Sequence, residues 1–488
     1  MIASDYYTIL GVPYDATAEE IRGAYNKLAR ASHPDLNPQE ADGEAFRTIQ
    51  NAFEVLSNDQ KKRDYDATLP EDLRAAPEIS VNYKYSTTII PKLDEPQLLY
   101  SLVELICTAD IRQETLSPAH ICLVLDRSTS MEGSRMDMVK ASSINLLQQL
   151  RPQDLLSVVV FSDRAEVLLP PSRVSSLSRS DHRISMLNIG GGTEILQGLS
   201  LGVEQLRLSD PGFIRHLILL TDGYTYGDEL GCLELARQAA SEGISISVLG
   251  IGEDWNDTLM DKITGLSGGS TLLISTPADL DNYLIEKVLE IETLYARGLS
   301  FQFESSPGVE LQYTFRLTPN ISPLNIANPV VLGDIQYHKS ISLLFEFVVP
   351  PLKDDIERLN LARGWVWMDV PGRKTPGARI RLDINRPVAL NPIVDPPPPV
   401  IMEAMEKLTL YRLQEKVRLE VDAGQVDKAT RHLHYLATNL IARGDRELAH
   451  AVLIEAEHVQ QSRQLSGEGQ KRIKYGTRSL FLQSGSER

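Results

Sequence analysis

The spacing of apolar and polar positions changes several times along the chain, and each change predicts a different kind of structure. Near the N-terminus, apolar residues recur at steps of three and four in "TAEEIRGAYNKLARAS" and again in "AFRTIQNAFEVL". This period predicts two amphipathic helices. The polar segment "HPDLNPQEADGE" joins them, so we expect an antiparallel helical hairpin in this part of the chain.

From residue 77 the pattern becomes alternating, as in "EISVNYKYSTTII" and "QLLYSLVELIC", which predicts β-strands. Residues 120–296 instead alternate short apolar strands with helical patterns, and this predicts a doubly wound parallel sheet covered by helices on both faces. Alternation returns afterwards, from "LSFQFESS" to "ARIRLDI". Because strands flank the α/β segment on both sides, we expect that segment to be inserted in one β-sandwich built from residues 77–119 and 297–390.

The segment "NPIVDPPPP" is typical of a stiff polyproline-like spacer and marks the next boundary. Beyond it, helical patterns separated by Gly424 and Gly444 predict three helices in a C-terminal helical domain over residues 400–478. The cation-bearing "GEGQKRIKYGTRSLF" is interpreted as either a docking segment or a solvated one. The fold class is therefore a multidomain α and β protein with helical, α/β, β-sandwich and helical parts.

Composition and charge narrow the range of partners. The chain has 488 residues and a formal net charge of −17, so it is expected to repel nucleic acids and anionic membranes. The three cysteines are widely spaced, which argues against a zinc site or a disulfide framework and favours core positions. Neither a signal peptide nor a run of about 18 apolar residues is visible. We therefore expect a cytoplasmic protein without a membrane span.

A group of oxygen-bearing side chains follows the strands of the predicted α/β domain. Asp126 ends the strand "ICLVL", Ser128 and Ser130 come at every second position after it, Thr193 lies on a glycine-rich loop, and Asp222 follows "HLILL". The binding crevice of an open parallel sheet lies past the carboxyl ends of its strands. Singly, such residues are ordinary turn formers or helix caps. Together they predict a hard oxygen shell suited to Mg²⁺, with Mn²⁺ or Ca²⁺ as alternatives.

The order Asp-x-Ser-x-Ser, then Thr, then Asp resembles the metal-ion-dependent adhesion site of von Willebrand factor A domains. The resemblance implies that Asp126, Ser128 and Ser130 hold the metal, with Thr193 and Asp222 contributing directly or through water. It also implies that an acidic side chain of a protein partner fills the open metal position. On this basis the site is predicted to bind a protein ligand, and the chain is predicted not to be an enzyme.

The N-terminal module contains "DYYTILGV", "AYNKLAR", the triplet His33, Pro34 and Asp35, and "AFRTIQNAFEVLSNDQKKRDYD". These motifs resemble a J-domain over residues 4–67. The resemblance implies that the triplet docks on a DnaK-type chaperone and stimulates its ATP hydrolysis.

Three cations on the preceding helix, Arg22, Lys27 and Arg30, are implied by the same resemblance to face the acidic surface of that chaperone. The alternative is a solvated helix face, which a row of charges usually indicates. The chain differs from the family at Ala31 and Ser32, where a basic residue and an aromatic residue are usual. This difference is expected to change how strongly the domain docks on the chaperone.

The combined prediction is a non-enzymatic J-domain co-chaperone or adaptor that binds a protein partner through a Mg²⁺-dependent site. One alternative is an accessory subunit that works with a MoxR-type ATPase in complex assembly or metal insertion. Another is a metal-dependent hydrolase. Aspartyl-phosphate phosphatases, however, have a second Asp where this chain has Ser128, "GLSGGS" does not match a serine-hydrolase elbow, and neither His182 nor His216 has an evident triad role. Trp365 and Trp367 are interpreted as core residues of a strand.

Overall fold

The computed structural model describes residues 5–12, 14, 16–31, 43–69, 76–111, 116–176, 180–210, 212–225, 227–252, 255–319, 321–352, 356–371, 373, 378–393 and 395–483. Within these ranges, no helix is both long and apolar enough to cross a lipid bilayer. The three cysteines are free and buried.

The N-terminal domain consists of helices α1 (Tyr6–Leu10), α2 (Ala18–Ala31), α3 (Gly43–Leu56) and α4 (Asp59–Thr68). A capping box begins α2, because the Thr17 hydroxyl accepts from the Glu20 backbone and the Glu20 carboxylate accepts from the Thr17 backbone. The rings of Tyr25 and Phe53, 4.1 Å apart, join α2 to α3. The expected pair of packed helices is therefore present.

The central α/β domain has a six-stranded sheet in the order β6-β5-β4-β7-β8-β9. Its strands are β4 (Ala119–Asp126), β5 (Leu155–Phe161), β6 (Ala165–Arg173), β7 (Ile214–Thr221), β8 (Ile244–Ile251) and β9 (Thr271–Ile274). All neighbours are parallel except β6, which pairs antiparallel with β5. The sequence interpretation missed β6, which contains two prolines; an edge strand tolerates proline because one side of its backbone needs no partner.

Helices cover both faces of this sheet, as the sequence predicted. Helices α5 (Ser134–Gln149), α6 (Ser180–Ser185) and α10 (Pro277–Glu292) pack on one face. Helices α7 (Ile195–Arg207), α8 (Glu229–Ser241) and α9 (Asp257–Ser267) pack on the other. A Cβ at Gly202 would lie 2.7 Å from a Val124 methyl group, so glycine allows α7 to lie close to β4.

Two five-stranded sheets form the β-sandwich, in the orders β1-β3-β14-β11-β12 and β13-β10-β15-β16-β2. The strands before the α/β domain are β1 (Ile79–Tyr85), β2 (Ile90–Pro91) and β3 (Gln97–Cys107). Those after it are β10 (Leu294–Glu304), β11 (Glu310–Thr318), β12 (Ser322–Leu324), β13 (Val330–Gln336), β14 (Ser340–Val349), β15 (Arg358–Asp369) and β16 (Ala378–Ala389). Because β3 pairs with β14 and β2 with β16, the α/β domain is inserted in the sandwich.

Four C-terminal helices follow, α11 (Pro399–Asp422), α12 (Val426–Ala442), α13 (Arg446–Ser462) and α14 (Gly467–Gln483). The three predicted helices are present as α11, α12 and α13, and a fourth was missed: the cation-bearing segment forms α14, which buries Ile473 and Tyr475. Helix α11 covers the outer face of the first sandwich sheet, where Tyr411 meets Phe315 and Arg412 makes two 2.9 Å contacts with Glu346.

Trp365 and Trp367 lie on the outer face of the second sandwich sheet, and the expectation that they belong to the core was wrong. Their neighbour Val366 points inward, and alternation along a strand sends the two indoles outward. Arg379 of β16 lies 4.5 Å from the Trp367 ring centroid, and Arg381 lies 5.8 Å from that of Trp365. This face contacts the N-terminal domain rather than the sandwich interior.

Candidate functional site

Two adjacent parallel strands bring the predicted carboxylates together. Strand β4 ends at Asp126, and β7, its neighbour, ends at Thr221 just before Asp222. Both aspartates are buried, with 0% and 1% of their surface exposed. Since both strands run in the same direction, their carboxyl ends meet at one edge of the sheet.

Hydrogen bonds fix the orientation of the Asp126 carboxylate. Its Oδ1 accepts from the backbone nitrogen of Ser128 at 2.8 Å, and its Oδ2 accepts from the Thr221 hydroxyl at 2.6 Å. Burial raises the pKa of Asp126, the hydrogen bonds from Thr221 and Ser128 lower it, and the net change is upward. The carboxylate is thus held in one position before any ligand arrives.

The two serine hydroxyls connect the first strand to the second carboxylate. Ser128 Oγ lies 3.0 Å from Ser130 Oγ, and Ser130 Oγ donates to Asp222 Oδ1 at 2.6 Å. A single hydrogen-bonded series therefore runs from the end of β4 to the turn after β7.

Thr193 reaches the same place from the glycine-rich loop. A Cβ at Gly223 would lie 3.0 Å from Thr193 Oγ1, so this hydroxyl rests against the turn that carries Asp222. The loop is attached to the segment after β4, because Gly191 O accepts from the Thr129 backbone at 3.3 Å. Gly191 has a φ of 93°, a conformation that favours glycine. The structure thus brings all five predicted metal-site residues together.

The chemistry of this set fits a hard divalent cation. Two carboxylates and three hydroxyls offer only oxygen donors, which Mg²⁺ prefers, and leave room for water or a partner carboxylate in an octahedral shell. Within the part of the chain that the structure describes, no group of three or more His, Cys, Asp or Glu could hold a metal. A metal at this edge would therefore depend on serine and threonine hydroxyls.

Arg135, which the sequence interpretation missed, lies beside this site. Its guanidinium forms an ion pair with Asp222 Oδ2, and its Nη1 also donates to Ser130 O at 3.3 Å. The side chain is 36% exposed. Its position just after the Asp-x-Ser-x-Ser motif, at the beginning of α5, was the available signal. Arg135 supplies a positive charge where the motif resemblance places a metal.

The C-terminal helix α14 reaches the rim of the same edge. Lys471 donates to the backbone oxygen of Trp255 at 2.7 Å and lies 6.0 Å from the ring centroid of Tyr224, two residues after Asp222. Lys474 forms ion pairs with Asp257 and Asp261 at 2.5 and 2.9 Å. The C-terminal domain is therefore anchored close to the candidate metal site.

The predicted chaperone-binding residues are only partly described. Arg22 is exposed on α2. Lys27 and Arg30 lie on the same helix, but their side chains are outside the described part, as is the whole triplet of residues 33–35. At the other end of α2, Glu20 pairs with Arg381 of the sandwich, so the helix is attached to the sandwich by its first turn.

The two histidines that were considered for a triad lie in different surroundings. His216 is 6% exposed, with Nε2 3.0 Å from Ser247 Oγ, and burial lowers its pKa well below the usual value, so the ring is neutral. His182 is exposed on α6.

Comparison with known families agrees with this architecture. Residues 5–66 match the DnaJ domain, residues 120–284 match the von Willebrand factor type A domain, and residues 399–483 match the Sll0103-like C-terminal alpha-helical domain. The chain thus combines a J-domain, a von Willebrand factor A domain and a C-terminal helical domain of the Sll0103 type. The first two suggest co-chaperone and protein-binding roles.

Among similar proteins, the uncharacterized protein sll0103 of Synechocystis is 26% identical over 341 residues, which are 69% of this chain and 77% of that protein. The uncharacterized protein YfbK of Escherichia coli is 24% identical, over 61% of this chain and 53% of its own length. Chaperone protein DnaJ 1 of Aquifex aeolicus is 52% identical over 65 residues, which are 13% of this chain and 18% of that protein. The likeness to DnaJ 1 is confined to the J-domain.

Two solved structures share the fold. A von Willebrand factor type A protein from Catenulispora acidiphila has a TM-score of 0.66 at 16% identity, covering 83% of this chain and 97% of its own. The ArnB paralog VWA2 from Sulfolobus acidocaldarius has a TM-score of 0.51 at 18% identity, covering 82% and 98%. Both alignments extend well beyond the α/β domain.

Proposed function

We propose that the protein is a non-enzymatic co-chaperone adaptor: its J-domain recruits and stimulates a DnaK-type ATPase, and its α/β domain binds a protein partner through a Mg²⁺-dependent site. Two buried carboxylates and three hydroxyls lie together at one sheet edge, in a chain that also has a J-domain, and this is the main support for the proposal. A DnaK-type partner would place the protein in the cytoplasm.

Residues Asp126, Ser128 and Ser130 would hold the metal, with Thr193 and Asp222 completing the oxygen shell. When bound, Mg²⁺ supplies an open position that attracts an acidic side chain of the partner. Asp126 is already oriented by Ser128 and Thr221, so little ordering is needed when the metal binds. Mn²⁺ or Ca²⁺ could serve in the same shell.

The attachment of the J-domain supports an adaptor role. Glu20 pairs with Arg381, and Arg379 lies 5.3 Å from the ring centroid of Tyr14. These contacts connect the N-terminal domain to the sandwich in which the α/β domain is inserted. A chaperone bound to the J-domain would thus be held on the same body as the captured partner.

The alternative role, as an accessory subunit of a MoxR-type ATPase, uses the same metal site but requires no chaperone docking by residues 33–35. The two roles differ in one measurable respect: only the co-chaperone role predicts stimulation of a DnaK-type ATPase.

The experiment that tests the metal site is a Mg²⁺ titration by calorimetry of the full chain and of two aspartate variants. Asp126→Ala is expected to abolish binding, because it removes a carboxylate from the oxygen shell. Asp210→Ala makes the same change at an exposed position and should bind as the wild type does. Circular dichroism verifies that both variants fold. Equal Mg²⁺ affinity in all three proteins would refute the metal site.

A further inference from the structure

A cleft lies between the α/β domain and the sandwich, at the sheet edge opposite the candidate metal site. Its volume is about 600 Å³, including space open to solvent, and its walls include the first residues of β7 and the glycines before β8 and β9. Strand β7 begins here at Ile214 and ends near Asp222. At the rise of an extended strand the two sites are about 23 Å apart, so the cleft is a separate feature.

Positive side chains from four elements line this cleft. They are Arg215 of β7, Lys287 of α10, Arg297 of β10 and Arg316 of β11. Lys287 and Arg316 are only 7% and 8% exposed. Two carboxylates line the same walls, Glu290 and Asp334.

The carboxylates do not balance these cations. Glu290 is bound to Lys287 at 2.6 Å, and Arg297 pairs at 2.7 Å with Asp369, which lies outside the cleft. Asp334 is the remaining carboxylate; burial raises its pKa, although a hydrogen bond from the Gly298 backbone and the nearby cations oppose the change. Four positive side chains and two carboxylates therefore line the cleft itself.

The surroundings of Arg215 favour a bound anion. Its Nε is buried and has no hydrogen-bond partner within the part of the chain that the structure describes. Burial lowers the pKa of its guanidinium, and the neighbouring Arg297 lowers it further. The nearby Glu242 is engaged by Arg207 at 2.7 and 2.8 Å. A buried polar group without a hydrogen-bond partner is costly, so an anion that accepts from this guanidinium would stabilise the fold.

The hydrogen-bond donors that line the cleft favour one class of ligand. Guanidinium groups bind the oxygens of phosphate through paired hydrogen bonds, and the Lys287 ammonium adds a point charge. Because Gly243, Gly268 and Gly269 contribute no side chains, backbone alone forms part of the wall. We propose that this cleft is a binding site for phosphate, free or as the phosphate group of a small organic molecule, which bridges the α/β domain and the sandwich.

Phosphate bound here would contact cations from both domains and so stabilise their interface. Full-length protein is therefore expected to bind inorganic phosphate with one-to-one stoichiometry in calorimetry at fixed ionic strength, and to unfold at a higher temperature in its presence. The same titration is repeated with glycerol 3-phosphate, a phosphate ester. Tighter binding of the ester than of the free ion indicates an organic ligand, and equal binding indicates the free ion; both support a phosphate site.

Two charge-removing variants test the residues involved. Arg215→Gln is expected to weaken phosphate binding at least tenfold, whereas Arg237→Gln removes the same charge from the exposed face of α8 and should leave binding unchanged. Asp126→Ala should also leave it unchanged, so the outcome does not depend on the metal site. If Arg215→Gln does not fold, Lys287→Gln provides the same comparison.

Either of two results would overturn the proposal. One is the absence of binding by the wild type in both titrations at millimolar ligand. The other is equal weakening by Arg215→Gln and Arg237→Gln, because general charge attraction rather than a built site would then explain the binding.

Discussion

Arg135 offers a direct way to test how the candidate metal site is arranged. Its guanidinium pairs with Asp222 and donates to Ser130 O, the two residues joined by the 2.6 Å hydrogen bond from Ser130 Oγ. A divalent cation held by these residues would be repelled by this positive charge or would have to displace it. Arg135→Gln is therefore expected to tighten Mg²⁺ binding.

The size of this effect follows from Coulomb's law. Two unit charges 4 Å apart interact by about 1 kcal/mol in water and about 4 kcal/mol at an effective dielectric constant near 20. A divalent ion doubles these values, but Arg135 is 36% exposed, so solvent screening favours the lower limit. An expected gain of about 2 kcal/mol corresponds to an affinity about thirty-fold higher.

The assay is calorimetric titration of the wild type, Arg135→Gln and Arg135→Lys with Mg²⁺ at constant ionic strength. The lysine variant keeps the charge and should bind close to the wild-type level, whereas the glutamine variant should bind more tightly. Unchanged or weaker Mg²⁺ binding by Arg135→Gln would show that the arginine does not compete with a metal at this edge, contrary to this prediction.

Other parts of the molecule can be tested by substitution, turnover and stability measurements. His33→Gln should abolish stimulation of a DnaK-type ATPase while the circular dichroism spectrum stays unchanged; undiminished stimulation would contradict the J-domain assignment of this residue. A panel of phosphate esters and peptides with Mg²⁺ or Mn²⁺ should show no turnover, and turnover that Asp126→Ala abolishes would favour a hydrolase. Burial lowers the pKa of His120 to about 4, below the ordinary value near 6.5, so protonation of the unfolded chain should reduce stability as pH falls from 6.5 towards 4. In urea denaturation the free energy of unfolding should fall by about 2 kcal/mol at pH 5, and by less in His120→Gln. An equal decrease in the variant would contradict this cause. Leu436→Ala in the core of the C-terminal helices should lower the free energy of unfolding by about 2–5 kcal/mol. Leu419 is 61% exposed in the same domain, so Leu419→Ala should lower it little. Equal decreases would contradict the packing described.

The position of the candidate metal site was predictable from sequence because it depends on a topological rule. Asp126 and Asp222 each follow an apolar run, and parallel strands place such residues at one edge. Arg135 was missed because a long side chain can extend back past the first turn of its own helix. The spacing of apolar residues does not indicate this contact.

Other features depended on information that local patterns do not carry. The outward direction of Trp365 and Trp367 depends on which face of β15 meets the other sheet. The four cations of the cleft, from Arg215 to Arg316 in the sequence, lie on four different elements. They come together because the α/β domain is inserted in the sandwich. Helix α14 was misread because the buried residues Ile473 and Tyr475 are set among cations such as Lys471 and Lys474, which the fold also buries.

The most direct test of the central claim is partner capture from a native lysate by immobilised full-length protein. Wild type with Mg²⁺, wild type with EDTA, and Asp126→Ala with Mg²⁺ are compared, and the bound proteins are identified by mass spectrometry. We expect a protein partner that binds only in the first condition and loses binding when its acidic contact residue is replaced. The same partners in all three conditions would contradict a metal-dependent binding site at the ends of β4 and β7.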